Sequence, residues 1–303
     1  MTFKPENSIN QTVFLPKNKG IELVVKREDK IHPFVSGNKY RKLKYNLIEA
    51  QNSGFKTLLT FGGAYSNHIA AVASAGQNLG FKTIGVIRGD ELGSKIERNP
   101  TLSFAKECGM QFKFVSRTDY RDKTSQNFID HLKKEFNTFY LIPEGGTNTL
   151  AVNGCEEILN DSDKDFDYIC TSVGTGGTVS GLINGSNSNQ NVLGFPALKG
   201  DFLKEEITKF VTQSNWSLIT DYHFGGYAKI NPELIRFINH FKNTNRIPLD
   251  PIYTGKMMFG IYDLIHKGYF PAGSKILAIH TGGLQGIAGM NMILKNKNLP
   301  IIE

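Results

Sequence analysis

Leu58-Leu59-Thr60-Phe61-Gly62-Gly63-Ala64-Tyr65-Ser66-Asn67-His68 runs from a short apolar segment through two glycines into residues with helical spacing. The apolar run bounded by glycine predicts a buried strand, and the pattern beyond it predicts a helix from about Asn67 to Leu79. The same alternation recurs along the chain. Thr83 to Ile87, Phe112 to Val115 and Phe139 to Ile142 read as strands, as do Tyr168 to Thr171, Val192 to Phe195 and Lys275 to His280. Helical stretches lie between them. Continuous apolar strands alternating with helices predict an α/β fold of parallel sheets flanked by helices. No internal repeat or low-complexity segment interrupts the pattern, and Asn184 to Asn191 reads as a polar loop.

A chain of 303 residues is long enough for two lobes and a large core. Its net charge of +7 comes from lysines spread among acids, with no aromatic-interleaved basic patch. That pattern speaks for solubility and against nucleic-acid binding. Cys108, Cys155 and Cys170 have no metal-ligand spacing and predict buried free thiols in a reducing cytoplasm, with no metal site. The segment Met1-Thr2-Phe3-Lys4-Pro5-Glu6 lacks an apolar signal core, and no apolar run is long enough to cross a bilayer. The expectation is a soluble cytoplasmic protein with no membrane partner.

Ser36-Gly37-Asn38-Lys39-Tyr40-Arg41-Lys42-Leu43-Lys44-Tyr45 carries the first chemical signal. Gly37 and Asn38 are poor helix residues, and Tyr40, Leu43 and Leu47 follow at helical spacing, so Lys39 falls at a helix start. The positive end of the helix dipole there disfavours the ammonium and favours a nucleophilic amine. A solvated basic face, with Arg41, Lys42 and Lys44, is the alternative reading. Gly174-Thr175-Gly176-Gly177-Thr178 follows an apolar strand and precedes a helical pattern near Val179. Glycines that turn several N–H groups into one concavity beside hydroxyl donors make a phosphate cradle. A dinucleotide fingerprint is disfavoured: Val179 stands where its last glycine belongs, and no acid lies about twenty residues beyond. Ser66 and Asn67 suit helix capping, and Glu144-Gly145-Gly146-Thr147-Asn148 reads equally as a turn with a cap or as part of a site.

The Lys39 segment resembles the Gly-Asn-Lys-x-Arg-Lys-Leu-x-Tyr signature of the pyridoxal-phosphate enzymes that include 1-aminocyclopropane-1-carboxylate (ACC) deaminase and D-cysteine desulfhydrase. Gly37, Asn38, Lys39, Arg41, Lys42, Leu43 and Tyr45 match it. Further similar motifs follow in order from Lys26-Arg27-Glu28-Asp29 to His280-Thr281-Gly282-Gly283. The resemblance implies a two-lobed, tryptophan synthase β-like fold (fold type II) with pyridoxal 5'-phosphate in the interlobe cleft. It places the large cofactor-binding domain at residues 1–47 and 148–303 and the small inserted domain at 48–147. Lys39 would carry the cofactor through a Schiff base. Asn67 would meet the cofactor's phenolic oxygen, Ser66 the substrate, and Gly174, Thr175, Gly176, Gly177 and Thr178 the phosphate. Tyr65 departs from the glutamine usual before that serine. Tyr227, in Phe224-Gly225-Gly226-Tyr227, and Tyr253 match the two tyrosines over the substrate, and His280 reads as structural.

Asp250-Pro251-Ile252-Tyr253-Thr254-Gly255-Lys256-Met257-Met258 resembles the family's motif beside the ring nitrogen. ACC deaminases carry glutamate at position 254 and D-cysteine desulfhydrases threonine. A neutral hydroxyl cannot hold a proton on that nitrogen by charge, so the electron sink is shallower. Thr254 therefore favours β-elimination over cyclopropane opening. The resemblance implies a D-cysteine desulfhydrase-like lyase releasing pyruvate, ammonia and sulfide from a small amino acid, acting as a homodimer. ACC deaminase and a non-catalytic cofactor-binding protein are the rival readings. Metal-protease, nucleophile-elbow and Walker motifs are absent.

Overall fold

The chain, seen in a computed structural model, is described over residues 3–16 and 20–303. Met1 and Thr2 of the segment read for a signal core lie outside the described residues. In chain order the elements are β1 (Asn10–Thr12), β2 (Glu22–Lys26), α1 (Asn38–Asn52), β3 (Thr57–Gly62), α2 (Asn67–Leu79), β4 (Lys82–Arg88) and α3 (Pro100–Glu107). Then come β5 (Gln111–Val115), α4 (Gln126–Phe136), β6 (Tyr140–Ile142), α5 (Thr149–Glu156), β7 (Tyr168–Val173), α6 (Gly177–Gly185) and β8 (Asn191–Pro196). The last are α7 (Phe202–Thr208), β9 (Trp216–Leu218), α8 (Pro232–Asn245), α9 (Thr254–His266), β10 (Lys275–Ile279) and α10 (Gly286–Asn296). Among the described residues, no helix is long and apolar enough to cross a membrane.

The strands form two sheets, ordered β1-β2-β10-β7-β8-β9 and β5-β4-β3-β6. Helices connect the strands, so neighbouring strands run parallel, with one correction to the all-parallel expectation. β1 pairs antiparallel with β2, Asn10 opposite Lys26 and Thr12 opposite Val24. Among the described residues, no helix lies between them, and an antiparallel return needs none. Both sheets are buried on two faces, which is why their strands are apolar without alternation. In β3, Leu58 enters a core with Val35, Leu43, Ile69 and Ile87, while Leu59 enters the opposite core with Phe61, Val86 and Leu132. In β10, Ile276 and Ala278 face one core, Leu277 and Ile279 the other.

The four strands of the smaller sheet fall between Thr57 and Ile142. An edge for the small unit at residue 48 would cut α1, which is continuous from Asn38 to Asn52 and buries Leu43, Leu47 and Ala50 in the smaller sheet's core. We propose that the unit takes in α1 as well. The parallel arrangement brings the carboxyl ends of β3, β7 and β10 toward a common crevice, where open α/β sheets place their ligands.

Helices α1, α5 and α6 meet at glycines. A Cβ at Gly154 would lie 2.0 Å from the Arg41 carbonyl oxygen, and one at Gly181 would lie 2.4 Å from the Cys155 Cβ. These contacts let α1, which carries Lys39, sit against the larger unit. Gly154→Ala is expected to destabilise the protein by about 1–3 kcal/mol through overpacking. Thermal unfolding checks this, and an unchanged melting temperature would mean the helices have room to part.

Candidate active site

Lys39 lies in the first turn of α1, as its sequence position requires. Gly37, at φ +59°, brings the chain so close to the loop after β10 that a Cβ there would lie 2.1 Å from the Thr281 carbonyl oxygen. Only glycine tolerates both that torsion and that approach. The Lys39 amine is held down at about 7, first by burial and then by the charge of Lys42, against opposing pulls from Cys155 and Asp250. Desolvation therefore leads, where the sequence reading put the helix dipole first. An amine lowered this far gives up its proton much nearer neutrality than an ordinary lysine. Cys155 lies in the same interior, its thiol pushed up to about 11 by burial, which makes it inert. Cys155 and Cys170 are buried and free, while Cys108 is only half-buried.

Gly174–Thr178 spans the turn from β7 into α6, and Gly176 takes φ +88° at the cap. The glycines are packed, not idle. A Cβ at Gly177 would lie 2.9 Å from the Thr147 side chain and 3.2 Å from Lys42 Nζ, and one at Gly174 3.2 Å from Tyr253 Cε1. Lys42 Nζ donates to the Gly145 carbonyl at 3.0 Å, to Thr147 Oγ1 at 2.9 Å and to Thr175 Oγ1 at 3.3 Å. Lys42 was not singled out from the sequence, where it merged with a basic run. Burial lowers its pKa to about 8, so it remains largely a cation. Among the described residues, no carboxylate pairs with it. The Glu144–Asn148 stretch, ambiguous in sequence, serves both readings: Asn148 caps α5 by accepting from Ala151 N–H at 2.9 Å, while Thr147 faces the cradle. The Thr178 Oγ1 accepts from Asn38 Nδ2 at 2.8 Å, which ties the first turn of α6 to that of α1.

Ser66 caps α2, its Oγ accepting from Ile69 N–H at 3.3 Å, which leaves its hydroxyl hydrogen to give. Asn67 Oδ1 is buried without a protein partner. Its Nδ2 would lie 2.7 Å from a Cβ at Gly283, in the loop after β10. Tyr65 is pressed against α10, 2.6 Å from where a Gly289 Cβ would stand. His68, behind Asn67, donates from Nε2 to Thr60 Oγ1 at 2.8 Å because the Thr60 hydrogen goes to the Ile142 carbonyl. Burial and the charges of Lys39 and Lys42 keep His68 neutral. His280 joins the Pro248 carbonyl at 2.7 Å and accepts from Gly282 N–H, a structural position.

The Tyr227 and Tyr253 rings meet edge-on, their centroids 6.3 Å apart. Burial raises both phenols above their ordinary value, and a hydrogen bond from Tyr253 draws Tyr227 back down. Tyr227 is thus the more acidic of the two. Thr254 is fully buried, and its hydroxyl is spoken for: it donates to Asp250 Oδ1 at 2.7 Å and accepts from Asp250 N–H at 2.9 Å. The Asp250 carboxylate also takes N–H bonds from Ile252, Tyr253 and Thr254. The sequence reading placed Thr254 as a neutral hydroxyl beside the ring nitrogen; that its hydrogen goes to Asp250 could not be read from residue types.

A buried cation on neutral oxygens, a glycine-shaped cradle at a helix N-terminus and a buried lysine with a lowered pKa form a set that fits a phosphate-bearing aldehyde. Residues 8–282 match the family of pyridoxal-phosphate dependent enzymes. The chain is 31% identical to the bifunctional D-cysteine desulfhydrase/1-aminocyclopropane-1-carboxylate deaminase of Arabidopsis thaliana, over 88% of this chain and 74% of that protein. It is 28% identical to the 1-aminocyclopropane-1-carboxylate deaminase of Bradyrhizobium sp., over 91% and 90%. The crystal structure of an ACC deaminase homologue superposes with a TM-score of 0.82 at 28% identity, covering 98% of this chain and 95% of that one. The fold is therefore that of the type II pyridoxal-phosphate enzymes, and the cofactor is pyridoxal 5'-phosphate. Within that class, the chain belongs to the ACC deaminase/D-cysteine desulfhydrase family of lyases and deaminases.

The amine of Lys39 must be unprotonated to attack an aldehyde, and it gives up its proton as pH rises through about 7. Capture of pyridoxal phosphate by apoprotein, trapped with borohydride, is expected to accelerate as pH rises through that value and then level off. The folded amine also holds fewer protons than the unfolded chain between about 7 and the ordinary value of 10.5, so apoprotein stability should gain from this group across that window. A capture rate indifferent to pH would show that another step controls it.

Proposed function

We propose that the protein is a β-eliminating lyase that converts D-cysteine, or a related β-substituted D-amino acid, with water to pyruvate, ammonia and the leaving thiol. The observation that carries this reading is the state of Thr254. Position 254 supplies a neutral hydroxyl whose hydrogen is given to Asp250. Asp250 spends its charge on that hydroxyl and on three backbone N–H groups. No uncommitted carboxylate stands at that place to deepen an electron sink. Expelling a thiolate needs less delocalisation than opening a cyclopropane ring that has no α-hydrogen.

When bound, pyridoxal phosphate supplies an aldehyde and a ring that accepts the electron pair released at the substrate α-carbon. Lys42 Nζ, Thr175 and the α6 N-terminal N–H groups would hold the phosphate. Asn67 Nδ2 would donate to the cofactor's phenolic oxygen, and Ser66 Oγ with its neighbouring N–H groups would hold the substrate carboxylate. Lys39 Nζ, poised near neutrality, receives the α-proton. As the Cβ–S bond breaks, its electron pair stays on sulfur, and Tyr227 gives the proton. Tyr253 stabilises the phenolate left behind. We infer a cytoplasmic homodimer, as the family resemblance and the free thiols suggest.

Wild-type protein is expected to release pyruvate from D-cysteine and little 2-oxobutyrate from ACC. Borohydride reduction of the holoenzyme should leave its tag on Lys39. Thr254→Glu is expected to move the ratio of the two activities toward ACC while lowering the melting temperature, because a second carboxylate then confronts Asp250. Strong ACC turnover by the wild type would give the deaminase reading first place.

A further inference from the structure

We propose that Lys256 is a positioning residue that fixes the loop His223–Ala228 and thereby holds Tyr227 against Tyr253 at the cleft. Lys256 stands in the first turn of α9, two residues after Thr254, and is only 2% exposed. Its Nζ donates to the His223 and Gly226 carbonyls, each at 2.8 Å. Those two oxygens flank the tip of the loop. Burial disfavours the ammonium, lowering its pKa to about 8, while the nearby Asp250 charge supports it.

The loop needs such a tie because its backbone is held where L side chains rarely go. Phe224 lies at φ 54°, Gly225 at 91°, Gly226 at 116° and Ala228 at 55°. Two of these four carry side chains, and a chain left to itself would relax out of that region. Its short-range bonds are Gly226 N–H to the His223 carbonyl at 3.0 Å, Lys229 N–H to the Gly226 carbonyl at 3.2 Å and Gly225 N–H to His223 Nδ1 at 2.9 Å. Further anchors come from α9. Phe224 packs edge-on against Phe259, centroids 5.1 Å apart, one turn beyond Lys256. Tyr253, at the head of the same helix, rests on Gly174 of the cradle. One helical turn therefore sets the positions of both tyrosines, although they lie far apart in sequence. Remove the ammonium, and each carbonyl keeps only a local backbone donor, so the two lose the one group that ties them jointly to α9.

This inference rests on the reading that Tyr227 serves the reaction, and its test separates the two. Holoenzyme is prepared as wild type, Lys256→Met, Tyr227→Phe and the double variant. Kinetics with D-cysteine are measured beside hydrogen exchange, which needs no turnover. Lys256→Met is expected to keep its cofactor absorbance and the slow exchange of α2 and α8, while residues 223–229 exchange about tenfold faster. Its kcat should fall about a hundredfold, the scale of a misplacement of about 1 Å. In the Tyr227→Phe background the same change should cost less than about twofold, because the group it positions is already gone. Unchanged exchange in 223–229, or losses that simply multiply, would overturn the proposal. If Tyr227→Phe alone leaves turnover intact, the tyrosine's assigned role falls and the positioning role falls with it. If wild type ignores D-cysteine but the exchange still responds, the substrate assignment fails and the tie to the loop stands. Lys256→Ala gives a second route should the Met variant not fold. Added methylammonium is expected to restore loop protection there and methanol to leave it lost; equal effects of the two would count against a donated hydrogen bond.

Discussion

The Lys42 ammonium is a buried cation that touches only neutral oxygens, and three parts of the molecule converge to supply them. The lysine comes from α1, the Gly145 carbonyl and Thr147 from the turn before α5, and Thr175 from the cradle before α6. Burying an unpaired charge is costly unless hydrogen bonds or a counter-ion offset it. Three neutral acceptors offset part of that cost, and a bound phosphate dianion would offset more. The same charge is the second cause, after burial, of the lowered Lys39 amine, one turn earlier on the helix. One charge thus bears on both the cradle and the amine.

The strands long enough to be continuously apolar were legible in sequence because both sheet faces are buried. β1 and β9 were not, since each is three residues long and half-exposed. β2 hides its nature behind Lys26, whose ammonium is buried on Asp163 at 2.6 Å. A charged residue at a strand end reads as surface until its partner, 137 residues away, is known. The same blindness covered Lys42, whose partners lie 103 to 133 residues further along the chain. Lys39, Ser66, Asn67 and the glycine cradle drew attention because each stands at a helix start, and the resemblance supplied the roles expected of Lys39, Ser66 and Asn67. Residue types could not say where hydroxyls point: Thr178 turns to Asn38, and Thr254 to Asp250.

The Asp250–Thr254 pair shows how one local motif can serve shape and chemistry together. The carboxylate gathers the N–H groups of Ile252, Tyr253 and Thr254, so it builds the start of α9 in the manner of a cap. That start carries Tyr253, Thr254 and Lys256. A reaction's electronic demand at this point is therefore tied to a folding requirement, and a new charge at position 254 must be reconciled with both.

Helix α1 has a mechanical role that its chemistry conceals. Its 15 residues make a rod roughly 22 Å long at the usual rise. Leu43, Leu47 and Ala50 seat its body in the core of the smaller sheet, while Gly37 locks its head to the Thr281 carbonyl beside the larger one. A tilt of the rod by about 5° about its far end carries Lys39 through about 2 Å, on the same rod length. Because one rod is seated in the smaller sheet and locked at its head beside the larger, a shift of one sheet against the other would move the Lys39 amine with it.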